Sequence, residues 1–434
     1  MFKKIEIWIL YLVIIFSFIS HIIFGALVRR EALQGSHIPV ISPISKVALF
    51  LSKIPSNVSK ISNLRNPFLI EDINGSKDWK DNFKLNPKYL KSISEDINYL
   101  FVSYFNEEKN GNTVDLINVS NQKTILDLPI LSQNRIFHPT IEKSSGDIIS
   151  RVGENLVLIK NLNDEKEITS KKYNFHHSSE FDHDNNIWAC ATKKENTRSN
   201  FVDDYLVKLN KDGDVVFEKS LYECFIDNNL EFIIAPSTSD PSKFSEKYTI
   251  DIFHLNDIEP VLNDGKFWNK GDIFVSLRNR SLVFLYRPIT NKILWHKTGP
   301  WMTQHDVDIL DSKRISIFGN DVIDVSSNRN KYHKLHYGHN NIYIYNFEND
   351  SISMPYSNVM KKMNVSTYTE GLHRIMNDGK LFLEDQNNHT IYFLNETDYI
   401  WKYKYKNKSG RISMFSWSSL YSENEILNLT KFIN

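Results

Sequence analysis

From about Tyr99 to Tyr403 the chain repeats one local pattern, and that repeat limits its possible folds more than any other feature. Each unit has an entering strand, a polar turn, a second strand, a loop, a strand, and a final strand often ending in Trp. Asp272-Ile273-Phe274-Val275-Ser276, Leu282-Val283-Phe284-Leu285-Tyr286 and Ile293-Leu294-Trp295 form one such series. Lys380-Leu381-Phe382-Leu383, Thr390-Ile391-Tyr392-Phe393-Leu394 and Ile400-Trp401 form another. β-branched and aromatic residues punctuated by Asn, Asp and Gly read as short strands and turns. About six units of roughly 40 to 65 residues match the size of four-stranded propeller blades. The expected fold is all-β, a six-bladed β-propeller with an N-terminal transmembrane helix and a stalk.

Histidines recur near the start of five units: His138, the pair His176-His177, His254, His305 and His373. Each precedes a polar or Gly-containing turn, such as Ser145-Gly146-Asp147 or Asp378-Gly379. Equivalent positions of a circular repeat face the same place, the central channel. Imidazoles gathered there would make a site.

The 434 residues allow one large β domain. Lys+Arg and Asp+Glu both total 52, so the net charge is zero and no basic excess argues for nucleic acid. Ile7 to Val28 is apolar and carries no formal charge. Its length suits a bilayer-spanning helix, and no small-x-small cleavage site follows it. It reads as an uncleaved signal-anchor. Lys3-Lys4 and Arg29-Arg30 flank it almost equally, but a six-residue stub is easily left in the cytoplasm. The expected organisation is a cytoplasmic N-terminus over 1–6, a span over 7–28, a Pro-punctuated stalk over 29–95 and the propeller over 96–434. The stalk holds a possible amphipathic helix around Ile44 to Ile54. The propeller is then expected outside the cytoplasm, tethered to the inner (cell) membrane.

Cys190 and Cys224 are the only cysteines. They would pair in an oxidising compartment, or serve as two buried small apolar residues. The run Lys331-Tyr332-His333-Lys334-Leu335-His336-Tyr337-Gly338-His339 superficially suggests metal ligation, but it lacks a carboxylate or Cys at ligand spacing. No metal and no diffusible cofactor are expected.

Four short signatures follow in order. Asp251-Ile252-Phe253-His254-Leu255-Asn256-Asp257 leads to Gly271-Asp272-Ile273-Phe274-Val275-Ser276-Leu277-Arg278, then Ile293-Leu294-Trp295, then Gln304-His305-Asp306. Ile317-Phe318-Gly319-Asn320 comes next. This series resembles the bacterial arylsulfate sulfotransferases over about His138 to Trp401. The resemblance implies a six-bladed propeller and a cofactor-independent, ping-pong transfer. A sulfuryl group would move from an aryl sulfate donor to a phenolic acceptor through a sulfo-histidine. A neutral imidazole can attack sulfur and later leave, splitting one hard transfer into two easier ones. Other imidazoles can shuttle the phenol proton, and a guanidinium can hold sulfuryl oxygens.

On this resemblance His254 and His305 fall on family motifs as oxygen binders or proton shuttles. His373, at the last blade entry, is the expected nucleophile. The family's arginine should follow Phe-Asp-Asn. Gly319 replaces that Asp, and Arg329 is the first arginine downstream, with Arg278 and Arg374 as competitors. His177, Asn256, Asn320 and Arg278 are the expected substrate contacts. For His176-His177 and His138 the alternative is a structural role at the blade entry. Two rival functions remain, an aryl sulfate hydrolase and a non-catalytic propeller binding a glycan or envelope partner.

Overall fold

A computed structural model describes residues 7–33, 43–52, 69–70, 82–128, 130–162, 164–195, 201–234, 250–327 and 330–433. The described chain separates into two compact units. One comprises Met1–Asn66 with Pro236–Ile250, and the other Pro67–Ala235 with Asp251–Asn434.

In the smaller unit, Ile7–Leu33 is a single helix. Its stretch Ile7–Arg29 is long and apolar enough to cross a membrane. A second helix, Pro43–Ser52, exposes Ile44, Val47, Phe50 and Leu51 while burying Ser45 and Ala48.

The larger unit is a six-bladed β-propeller. The second blade runs Ile136–Ile141, Ile148–Val152, Asn155–Lys160 and Asp164–Ile168 from the inside outward. The third runs Tyr173–Phe181, Ile187–Lys193, Asp204–Leu209 and Val215–Ser220. The fourth is Leu255–Pro260, Ile273–Leu277, Leu282–Arg287 and Lys292–Thr298. The fifth is Asp306–Asp311, Arg314–Gly319, Asn341–Asn346 and Ser351–Ser353. The sixth is Leu372–Ile375, Leu381–Asp385, Thr390–Leu394 and Tyr399–Tyr403. Phe83–Leu85 adds a fifth strand to the outside of that blade, so chain before residue 96 already belongs to the sheet.

The first blade closes the ring. Its outer three strands, Asn98–Asn106, Gly111–Asn118 and Lys123–Asp127, come early in the chain, and its innermost strand, Ser419–Ser422, comes late. Antiparallel pairing from Asn98↔Ser422 to Phe101↔Ser419 joins them. Closure leaves no open sheet edge at the junction.

The core lies between blades rather than at the centre. Six apolar clusters among the described residues each fill one junction between neighbours, such as Trp188, Leu206, Phe253, Val275 and Phe284 between the third and fourth blades. Trp401 is buried between the sixth and first blades. Trp295 stacks near Phe347 and Tyr345, with centroids 4.7 and 5.0 Å apart. With apolar packing spent between blades, the channel is free to carry polar groups.

Cys190 and Cys224 are both free thiols, buried in the same apolar cluster. They serve as small core residues rather than a cross-link. His339 turns one ring nitrogen to Tyr337 O at 3.0 Å and the other to Ser357 Oγ at 3.1 Å, while His336 is exposed.

Candidate active site

Every blade is entered through one non-glycine residue in the left-handed backbone region. These are His138, His177, His254, Thr303, Glu370 and Trp417, with φ between 48° and 62°. The entering strands of the second, third and fourth blades show a register shift there, between Phe137 and Thr140, His176 and Ser179, and Leu255 and Asp257. Such bulges re-aim side chains, and histidine tolerates this conformation better than most residues.

Counting from these residues sorts the channel into layers. Of the left-handed histidines, His177 and His254 lie together at one mouth, while His138 Nε2 is 3.2 Å from Glu180 Oε1 and lines the cavity of the next layer. Three residues further stand Glu180, Asp257, Asp306 and His373, lining a cavity of about 760 Å³ with Asp308 and Glu259. His305 follows its left-handed residue by two positions and His373 by three. Strand residues one position apart point to opposite sides. His305 and His373 therefore do not share the slot that the sequence pattern suggests.

At the mouth, ring nitrogens of His177, His254 and His305 lie within 4.8 Å of one another. Ring centroids are 5.0 Å apart for His177–His254, 6.4 Å for His177–His305 and 6.5 Å for His254–His305. The three rings come from the third, fourth and fifth blades. The buried Trp417 stands 6.2 Å from His177, 6.5 Å from His305 and 5.4 Å from His138.

Hydrogen bonds fix the tautomer of His305. Asn320 spends its amide nitrogen on Thr367 O at 3.1 Å and Glu370 O at 2.9 Å. Its Oδ1 is thereby turned to His305 Nδ1, 2.6 Å away, so Nδ1 carries the proton. The lone pair is left on Nε2, which accepts the Glu370 backbone N–H at 3.1 Å. Burial, helped by the nearby Arg278 charge, lowers the His305 pKa to about 3. The ring is neutral near pH 7.

His254 differs. Its Nδ1 pairs with the Asp251 carboxylate, which that contact helps hold below its usual pKa despite burial. His177 Nδ1 lies 2.8 Å from His176 Nδ1, and His176 Nε2 lies 3.2 Å from Asp204 Oδ1. Burial, then the surrounding imidazoles, push the His177 pKa well below normal.

Arg278 is stitched to this site. Its backbone N–H donates to His254 O at 3.0 Å, and the Asn279 side chain donates to Asp251 O at 2.6 Å. The guanidinium gives one bond to Asn279 Oδ1 at 3.1 Å, its buried Nε has no partner among the described residues, and burial lowers its pKa. Asn256 is fully buried and donates to Gln304 O at 3.0 Å, bracing the chain just before His305. Gln304 in turn bonds Ser276 Oγ, Leu277 O and Leu282 O. Asn256 and Asn320 thus act on the backbone and ring around His305 rather than facing an open space.

His373 belongs to the other layer. Its Nδ1 and backbone N–H both meet Asp306 Oδ2, at 2.6 and 2.8 Å, and its Nε2 meets Ser316 Oγ at 2.7 Å. Both ring nitrogens are occupied and the side chain is sealed from solvent. Arg374 is tied to Glu425 and Leu420 O. Arg329 lies outside the described residues. Trp417, Glu370 and Arg135 were not anticipated from sequence. Their only early signal is position, because Trp417 and Glu370 precede the innermost strands of the first and sixth blades.

A trio of imidazoles at this spacing also suits a zinc ion. The adjacent guanidinium argues for an anion in the centre instead, since its charge repels a cation and attracts sulfate-like oxygens.

Residues 144–406 match the family described as Arylsulfotransferase (ASST), which is more than half of the chain. No curated protein matches. Among solved structures, a protein of unknown function from Bacteroides caccae is 13% identical, with TM-score 0.46, covering 74% of this chain and 98% of that one. The Cps50 (Swd1) β-propeller domain of Myceliophteria thermophila is 9% identical, with TM-score 0.42, covering 75% and 97%.

Proposed function

The chain belongs to the arylsulfotransferase family, and from that premise we propose that it moves a sulfuryl group from an aryl sulfate to a phenol through His305. One observation carries this reading. A neutral imidazole with its lone pair on Nε2 is grouped with two further imidazoles and a guanidinium that has an unpartnered nitrogen.

In the first half-reaction His305 Nε2 attacks sulfur. The N–S bond forms as the S–O bond to the aryl group breaks, and the phenolate leaves with the electron pair. Nδ1–H stays on the ring, so the adduct has imidazolium character and is a good leaving group for the second half. A neutral acceptor such as Asn320 preserves that reactivity, because it cannot take the proton. Arg278 opposes the charge on the sulfuryl oxygens, and the neutral His177 ring offers them a hydrogen bond. His254, polarised by Asp251, hands a proton to the leaving phenolate and takes one from the incoming phenol. This reading takes His305 rather than His373 as the nucleophile: both rings have a partner on each nitrogen, but the partner of His305 Nε2 is a backbone N–H, which marks the lone pair there, and His305 is grouped with two further imidazoles while His373 is grouped with carboxyl groups. Neither metal nor diffusible cofactor enters the scheme.

The apolar helix Ile7–Arg29 supports membrane attachment. We read it as an uncleaved anchor with the propeller outside the cytoplasm. Protease added to intact spheroplasts should then remove the propeller, and full protection would reverse that topology.

Purified protein given 4-nitrophenyl sulfate tests the chemistry. Release of 4-nitrophenol that depends on an added phenol, with one sulfuryl group on the His305 peptide after a short pulse, is the expected result. Acceptor-independent release would mean hydrolysis. No release and no adduct would favour a binding propeller.

A further inference from the structure

The amide that meets His305 Nε2 belongs to Glu370, and the rest of that residue is unusually well restrained for a loop. Its side chain takes two bonds from Arg135, at 3.2 and 3.0 Å. Arg135 also donates to Ser416 Oγ and Phe415 O, both at 3.0 Å, next to Trp417. Its guanidinium lies 4.3 Å from the Phe137 ring centroid. Glu370 has φ 62°, and its carbonyl takes the Asn320 bond described above. Gly371 follows with φ 93°, where a Cβ would come within 2.7 Å of the Phe318 ring. The loops entering the first, second and sixth blades are thus fastened together by one ion pair, which is three-quarters or more buried on each side.

We propose that Arg135 and Glu370 form a positioning latch for the reaction assigned above. It holds the Glu370 N–H against the His305 lone pair in the free protein. When the N–S bond forms, Nε2 no longer offers a lone pair, and an oxygen of the sulfur now bound to it replaces that lone pair as acceptor of the same N–H. The latch thereby covers the nucleophile at rest and supplies a fixed donor to the developing adduct. A fixed donor costs no reorganisation at the moment of reaction. Arg135 and Glu370 touch neither reacting bond, so they are positioning residues. The proposal rests on His305 being the nucleophile.

The full-length protein and its Glu370→Gln and Arg135→Ala variants provide the test, each first checked for an unchanged melting profile. Diethyl pyrocarbonate acylates imidazole lone pairs, and peptide mass spectrometry reports the ratio of modified His305 to modified His254. A low ratio in the parent protein that rises several-fold in both variants is expected. Alongside it, the burst of 4-nitrophenol should slow by roughly 10²-fold, as for a displaced catalytic group, with the donor KM little changed. An unchanged ratio in two folded variants overturns the latch, and so does a loss confined to KM. A parent protein that neither releases 4-nitrophenol nor forms an adduct overturns the sulfotransferase reading instead. In that case the modification ratio still decides whether the ion pair covers His305.

Discussion

The two layers of the channel are built from the innermost strands and the turns beside them, yet they carry opposite chemistry. The mouth holds His177, His254, His305 and Arg278. Three residues along, the inner layer holds Glu180, Asp257, Asp306 and His373, with Glu259 and Asp308 beyond. At the mouth, burial depresses the basicity of His177 and His305 and favours neutral rings there. In the inner layer, burial and mutual repulsion favour carboxyl groups that keep their protons. Asp257 is pushed up to about 8, and Asp306 and Asp308 to about 7. His373 serves the second layer as a hydrogen-bond partner for Asp306. Which layer a histidine enters here is set by its offset from the left-handed residue and not by its being near a blade entry.

The largest effect should separate the layers at once. His305→Asn should lower sulfuryl transfer by about 10⁴-fold or more and abolish the covalent adduct, as loss of a nucleophile does. Circular dichroism should show an intact fold. An adduct persisting on another histidine would dissolve the assignment. Next, Arg278→Ala should cost roughly 10² to 10³ in kcat, the usual loss for one charge-stabilising donor. A change in KM alone would mean that Arg278 only collects the donor.

His373→Asn sharpens the contrast from the other side. It removes a buried ring with two side-chain bonds, so a loss of about 1–3 kcal/mol in unfolding free energy is expected with kcat little changed. Loss of the adduct in a stable His373→Asn protein would return the nucleophile to the inner layer.

The smallest effect is in pH. For Asp257, Asp306 and Asp308 the folded pKa lies above the unfolded value, so the folded state binds more protons. Their stabilising contribution is complete below about pH 4 and is lost as pH rises through 7 to 8. The depressed imidazoles act in the opposite sense, weakening the fold as pH falls from about 6.5 toward 4 for His138 and 3 for His305. Between pH 6.5 and 8.5 the three carboxyls outnumber Lys402, whose pKa burial lowers to about 8 and which acts in the opposite sense, so the melting temperature should fall, and Asp257→Asn should flatten that slope. A melting temperature that climbs over this interval would mean the carboxyls are already ionised.

Much of this was legible in the sequence. Runs of β-branched and aromatic residues and regularly spaced polar turns revealed the blades, because each four-stranded unit repeats them. His254 and His305 were found because short motifs surround them. Their neighbours were harder. Glu370 matters through its backbone N–H, which has no sequence signature. Trp417 looks like any packing aromatic until the last strand folds inward. The His373 assignment turned on an offset of one residue, and sequence periodicity does not show where a bulge resets the count. Asn256 and Asn320 were recognised, but their task of aiming backbone and ring was visible only in three dimensions.

The pairing of Ser419–Ser422 with Asn98–Asn106 has a consequence for when the protein can work. Trp417 and the anchor points of Arg135 at Phe415 and Ser416 sit just ahead of that last strand. A nascent chain that has emerged only through its fifth blade still lacks one wall of the mouth and the fastening of the Glu370 loop. Catalytic competence should therefore arrive abruptly with ring closure. Sulfuryl transfer would then be a direct reporter of complete synthesis, silent in any partly made chain.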